Sequence, residues 1–525
     1  MIAIKKYPWL LLFFAALIIV SCSKDDNGDS TEEELIVSAG EADFSKFVAV
    51  GNSLTAGYTD GALFIESQLN SFPNILAGQF ALAGGGEFNQ PLMNDNLGGL
   101  LLGGNVIAEN RLFFNGSGPE RLPGVPTTEV SQTLSGNFNN MGVPGAKVYH
   151  LLAPGYGNVA GVPTGQANPY FARFASSPNT TLLADAVAQQ PTFFTLWIGN
   201  NDVLGYASSG GAGVNQAGNM DPSTYETNDI TDPTVFTMAY TTIVDNLTAN
   251  GAKGAVANIP NVLTTAYFTT VPYNPLNPAD PNYGPMIPLL NNHYASINQV
   301  FQVLGVPERS IVFHTDQASA VVIHDEYLTD LSEQITNVLI AGGVDPTTAT
   351  LLGQFYGQAR QANSTDLMVL PSMSAIGQLN QTIFDMLIGL GVPAETAAQL
   401  SVNGLTFPLE DKWVLVDDEQ LEIANTTALF NGIIQDVATQ KGLAFVDAHA
   451  ILDEIATVGV DFDEFSLNGS LVFGGLFSLD GIHPTARGAA YIANRFIESI
   501  NETYQSTLPY VKARDYVTIF SPNLP

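Results

Sequence analysis

Phe47-Val48-Ala49-Val50-Gly51-Asn52-Ser53-Leu54-Thr55-Ala56-Gly57-Tyr58 is the stretch from which the chain is best read outward. Phe47 to Val50 is a short apolar run, the pattern of a buried strand. Gly51 breaks it, and Asn52 and Ser53 are small polar residues that tolerate a tight turn. Ser53 then falls at the carboxyl end of a strand, where open α/β sheets place their sites. A serine there is a nucleophile only if a base lies within hydrogen-bond reach. Otherwise it is a turn residue that starts a helix, as serine commonly does.

The rhythm of the following chain supports an α/β sheet. Apolar residues at helical spacing run from Asp60 to Phe80, with Pro73 suited to a first helical turn. Leu182 to Gln190 is helical in pattern, and Thr192 to Ile198 is a β-branched and aromatic strand leading into Gly199-Asn200-Asn201-Asp202. A helix over Val235 to Asn250 and a strand over Gly254 to Ile259 continue the alternation, the mark of a parallel sheet with helices on both faces. The alternation resumes with Trp413 to Val416, a helix over Glu419 to Lys441, a strand over Leu443 to Val446 and a last helix over Ala486 to Ile500. Two stretches interrupt it. Residues 81–138 are rich in Gly, Asn and Pro, a long ordered excursion; residues 270–408 lose the rhythm and are expected to form a mainly helical insertion. Within the latter, Leu339 to Pro346 resembles Leu387 to Pro393, which suggests a duplicated helical hairpin. Both insertions follow strands, so both are expected to roof the site and select its substrate.

At 525 residues the chain is long enough for roughly two to four domains, or for one elaborated domain. It is 46% hydrophobic and 13% charged, which excludes a disordered chain. A formal net charge of −33 argues against a nucleic-acid partner. Lys5 and Lys6 precede an apolar run from Trp9 to Val20 that is short for a membrane span, and Cys22, the sole cysteine, follows it. This resembles a bacterial lipoprotein signal, and the cysteine's position favours lipidation over an ordinary secretory signal or a core cysteine. Residues 1–21 are then a signal peptide and 22–40 a lipidated tether, with Lys24-Asp25-Asp26 similar to a tag for cell-surface export. The expected location is the outer membrane, reached only through the lipid anchor. With no second cysteine, no intramolecular disulfide forms.

Near the C-terminus stands Ser478-Leu479-Asp480-Gly481-Ile482-His483-Pro484-Thr485. A loop histidine after the last strand has the chemistry to take a proton from Ser53 and return it to a leaving group, and Asp480 is close enough in sequence to orient its ring. An Asp-Gly turn with an incidental histidine fits the same residues. Acyl transfer also needs donors for a developing oxyanion: Ser53 N–H, the backbone of Gly145 and the side-chain amide of Asn201 are candidates. The other histidines (His150, His293, His314, His324 and His449) show no paired spacing typical of a metal site, and no cofactor is implied.

Gly-Asn-Ser-Leu at Ser53, Asn-x-Gly-x-x-Gly ending at Gly145, Gly-x-Asn-Asp at Asn201 and Asp480-x-x-His483 stand in the order of the four blocks of the SGNH, or GDSL-type, hydrolases. The resemblance covers roughly residues 45–80, 138–265 and 412–505. It implies a flavodoxin-like three-layer sandwich spanning residues 41–525, with Ser53 as nucleophile, His483 as base and Asp480 as its partner. It also implies an oxyanion hole of Ser53 N–H, Gly145 N–H and the Asn201 amide. Asn52 departs from the family, which has aspartate there. The implied activity is hydrolysis of carboxylic esters, lipid acyl or glycan acetyl. The alternatives are a thioesterase of the same superfamily or a non-catalytic surface lipoprotein that binds glycan or lipid.

Overall fold

A computed structural model describes residues 37–525. The expected signal peptide, Cys22 and most of the expected tether lie outside the described residues. At the described start of the chain, Ser38 N–H donates to Thr507 Oγ1 (2.9 Å) and Glu41 N–H to the Tyr504 carbonyl (2.7 Å).

The centre is a parallel sheet of five strands: β1 (Phe47–Gly51), β2 (Asn140–Gly142), β3 (Phe193–Trp197), β4 (Lys253–Ala257) and β5 (Ala444–Val446). Their order across the sheet is β5-β4-β3-β1-β2. All five residues of β1 are buried, because parallel sheets are covered on both faces. Val48 and Val50 point to one face, Phe47 and Ala49 to the other, as the two-residue period of a strand requires.

Each face carries helices. On the Val48 face lie the helices Pro233–Thr248 and Asp417–Lys441, whose Phe236 and Phe430 rings stack 3.9 Å apart. The first is opened by Asp232, which accepts from the N–H groups of Thr234 and Val235. On the opposite face lie Phe72–Ala81 and Ala486–Tyr504, joined through stacked Phe72 and Phe496. Thr485 caps the latter by accepting from Gly488 N–H, and a stripe of Ala489, Ala493, Phe496, Ile497 and Ile500 turns its apolar side to the sheet.

The helix whose first turn Pro73 suits is Phe72–Ala81, preceded by a turn at Thr59 to Ala62 and the short helix Ile65–Leu69. Three local readings change. Residues 140–142, which have the glycine-rich composition of a turn, are the edge strand β2. Gly142 is needed there because a Cβ would come within 2.2 Å of Ala56 N. Val414–Leu415 is not a strand of the central sheet but pairs antiparallel with Leu367–Met368. Val414 and Val416 belong to the core of the larger insertion, which therefore closes later than residue 408.

That insertion builds its own core around Tyr294, Phe301, Ile323, Tyr356 and Leu409. The two similar sequence motifs are the turns of two helical hairpins, Ser332–Ala341 with Pro346–Tyr356 and Gln381–Gly389 with Ala394–Leu400. The smaller insertion holds short strands, with Arg111 fully buried and donating to the carbonyls of Asn96 and Ser521. Among the described residues, no helix is long and apolar enough to cross a membrane.

Candidate active site

The strand order reverses direction between β1 and β3, which opens a crevice at their carboxyl ends. Gly51 ends β1 against the Trp197 carbonyl, where a Cβ would stand 2.4 Å away. Asn52 is fully buried: its Oδ1 accepts from Leu54 N–H (3.0 Å) and its amide donates to Asn200 Oδ1 (3.1 Å). It thus ties the exit of β1 to that of β3. An ionised aspartate has no proton for that second bond. Ser53 follows as the first residue of a one-turn helix closed by Gly57 at φ +87°.

His483 Nε2 stands 2.9 Å from Ser53 Oγ, and its Nδ1 stands 2.9 Å from Asp480 Oδ2. Asp480 Oδ1 also accepts from the N–H groups of Ile482 and His483 (both 2.9 Å), and Oδ2 accepts from Gly61 N–H (2.8 Å). Burial works to raise this carboxyl. The His483 ring and the N–H donors outweigh it and hold the group at about 2. An ionised Asp480 accepts a hydrogen bond from Nδ1–H and so keeps the proton on that nitrogen, which leaves Nε2 bare to accept from the Ser53 hydroxyl. The Tyr58 ring lies 4.7 Å from the imidazole, and Tyr58 donates to the Gly61 carbonyl (2.7 Å). Gly481 adopts φ +76° and packs on Tyr267 N, leaving no room for a side chain.

Gly145 sits at φ +79° in the turn after β2. Asn201 begins the helix Asn201–Ser208, and its amide donates one hydrogen to the Ala146 carbonyl (2.9 Å), which leaves the second free. The three oxyanion-hole candidates therefore hang from the carboxyl ends of adjacent strands β2, β1 and β3. Ser53, at a helix start, has no intrahelical partner for its N–H. Among the described residues, neither this group nor Gly145 N–H donates to a protein acceptor.

No family model matches this chain, and no curated protein or solved structure matches it either. The case for a site therefore rests on geometry.

Two features of that geometry were not read from the sequence. Asp60, buried at φ +52°, accepts from Leu479 N–H through Oδ1 (3.0 Å), and its own N–H donates to Ser478 Oγ (3.0 Å). Burial pushes its carboxyl up to about 7. The Leu479 N–H opposes the rise, Asp480's charge adds to it and Arg111 opposes it. The pair Asp60-Gly61 is a turn signal hidden by apolar neighbours at helical spacing.

The second is the pocket. Beside Ser53 and His483 opens an apolar cleft lined by Leu54, Leu204, Val262, Ile451, Leu452, Ile455 and Ile482 among others. No residue of either insertion lines it. The expectation that the insertions roof this site therefore fails for the cleft; the segments 260–265 and 446–495 build it instead. The larger insertion starts next to the histidine loop, where Tyr267 N–H donates to the Gly481 carbonyl (2.9 Å). Asp447 and His449 do not join the triad. Asp447 accepts from the Asn258 amide and Ala450 N–H, and His449 Nδ1 faces the Ile259 carbonyl.

Proposed function

We propose that this chain is a serine hydrolase of carboxylic esters, built on the SGNH plan within a flavodoxin-like three-layer sandwich. The strand order and the helices on both sheet faces support that plan. The observation that carries the activity is the unbroken chain Ser53–His483–Asp480, with both links at 2.9 Å, at the mouth of an apolar cleft. In this reading Ser53 Oγ attacks the ester carbonyl while His483 Nε2 takes its proton, and Asp480 stabilises the imidazolium. The tetrahedral oxyanion receives hydrogen bonds from Ser53 N–H, Gly145 N–H and the Asn201 amide. His483 then protonates the departing alcohol, and an acyl group remains on Ser53. Water, deprotonated by the same imidazole, releases the acid.

The apolar lining favours an acyl chain over an acetyl group as the portion held beside Ser53. The proposal includes export and a lipid on Cys22 that tethers the enzyme to the outer membrane, a reading that rests on the first residues of the sequence. Hydrolysis of p-nitrophenyl esters of graded chain length tests the whole. Ser53→Ala is expected to abolish turnover and fluorophosphonate labelling with the melting curve unchanged. Wild-type turnover in that folded variant ends the proposal.

A further inference from the structure

Away from the cleft, three carboxylates converge from separate parts of the chain. Glu326 and Asp411 come from the larger insertion, and Glu419 from the first turn of the helix Asp417–Lys441. One oxygen of each lies within 4.8 Å of the others. Glu419 is fully buried. Its Oε2 accepts from Val416 N–H (2.8 Å), but its Oε1 has no hydrogen-bond donor. One oxygen of Glu419 stands within 4.8 Å of an oxygen of each of the other two carboxylates, and ionised carboxylates are acceptors only. Two glycines make room for this arrangement. A Cβ on Gly211 would stand 1.7 Å from Glu419 Oε1, and one on Gly210 would stand 2.2 Å from the Asp411 carbonyl.

Among the described residues, no side-chain cation pairs with these three carboxylates. Lys412, next to Asp411 in the chain, pairs with Glu410 at 2.7 Å, and Arg360 is held by Asp325 and Asp366. Carboxylates that share one enclosure are stable as anions only when paired or coordinated.

We propose that Glu326, Asp411 and Glu419 bind a hard divalent cation, calcium, which fastens the larger insertion to the catalytic layer. The donor set is oxygen only, which suits calcium and magnesium and not the softer metals that select nitrogen or sulfur. Calcium–oxygen distances of about 2.3–2.6 Å let ligands on opposite sides of the ion stand about 4.6–5.2 Å apart, and calcium accepts irregular cages with mono- or bidentate carboxylates. Glu326 is exposed, Asp411 half-buried and Glu419 buried, so the cluster has an open side for entry and for completing waters. The fastening is local. Gly210 and Gly211 close the helix that Asn201 opens, so the cation ties the insertion to the far end of an oxyanion-hole element.

The test uses the intact protein stripped with a chelator and titrated calorimetrically with calcium chloride, alongside melting curves. One calcium per chain is expected to bind and to raise Tm by mass action. Glu419→Gln is expected to abolish both effects. Because that residue is buried and caps a helix, the exposed Glu326→Gln provides the second variant. It is expected to keep the calcium-free Tm of the wild type and to weaken calcium binding by about tenfold or more, since affinity follows the count of charged ligands. Absence of binding up to about 10 mM calcium, well above the weakest extracellular calcium modules, overturns the proposal. Unchanged affinity in Glu326→Gln, or an equal response to magnesium chloride, does the same.

Discussion

Asp480 and Glu419 are both withdrawn from water, yet their surroundings drive them in opposite directions. Asp480 receives donors from Gly61, Ile482 and His483 backbone N–H groups and from the His483 ring, and its carboxyl is held at about 2. Glu419 receives a single N–H, from Val416, and otherwise faces Glu326 and Asp411; its carboxyl is pushed upward. Burial alone therefore does not set the charge of an acidic side chain; the supply of donors or cations around it does. Asp60 stands between the two, with one N–H donor at Oδ1, the Asp480 charge nearby and a carboxyl at about 7. The donor-rich carboxylate serves an imidazole, and the donor-poor one is left to serve a cation.

The comparison breaks most visibly if Asp480's partner is removed. His483→Ala should lower kcat on a short p-nitrophenyl ester by about 10⁶-fold, close to the loss of the nucleophile itself, because members of a triad fail together. A loss under tenfold would mean that the bond to Ser53 is incidental.

Asp480→Asn sharpens the same point with almost no change in shape. An amide in that place can turn its NH₂ to Nδ1, which favours the tautomer with the proton on Nε2 and removes the base. A loss of about 10⁴-fold in kcat is expected. Should Asp480→Asn retain full activity while another carboxylate proves essential, the assignment of the third member is wrong.

The smallest effect concerns Asp60 and is one of stability. Its folded-state carboxyl titrates at about 7, above an unfolded value near 4, so the native state binds the extra proton between those limits. The resulting stability is fully present below about pH 4 and is lost as pH rises through about 7. Asp480, lowered to about 2, contributes the opposite way, losing stability only as pH falls from about 4 through 2, so it is silent in the upper window. Asp60→Asn keeps an acceptor for Leu479 N–H without the charge. Relative to this variant, wild type should lose on the order of 1–4 kcal/mol between pH 5 and pH 8. Chemical denaturation of both proteins across that range measures it, and parallel curves would show that Asp60 does not titrate there.

Legibility followed the range of the forces involved. The sheet's long strands were readable because Phe47 to Val50 and Thr192 to Ile198 carry their burial in continuous apolar runs. The major helices were readable from apolar spacing, as over Val235 to Asn250 and Glu419 to Lys441. The candidates Ser53, Gly145, Asn201, Asp480 and His483 were nameable because their short blocks stand in the order that the resemblance to the SGNH hydrolases implies. The strand Asn140–Gly142 was not, since its composition is that of a turn and its pairing with β1 is supplied by distant residues. Val414–Leu415 reads as a sheet strand by composition, and only its partner Leu367–Met368 removes it from the central sheet.

The sequence by itself determined the local alternation of strands and helices, the order of the polar blocks and the stripes that face each core. These depend on neighbours within a few residues, through backbone sterics and the periods of strand and helix. Only the tertiary structure decided that His483 meets Ser53 across the crevice between β1 and β3, that the cleft is walled by the segments after β4 and β5, and that Glu326, Asp411 and Glu419 share one enclosure. A hydrogen bond or an ion cage depends on where atoms stand in space, and residues far apart in the chain acquire that relation only when the layers pack.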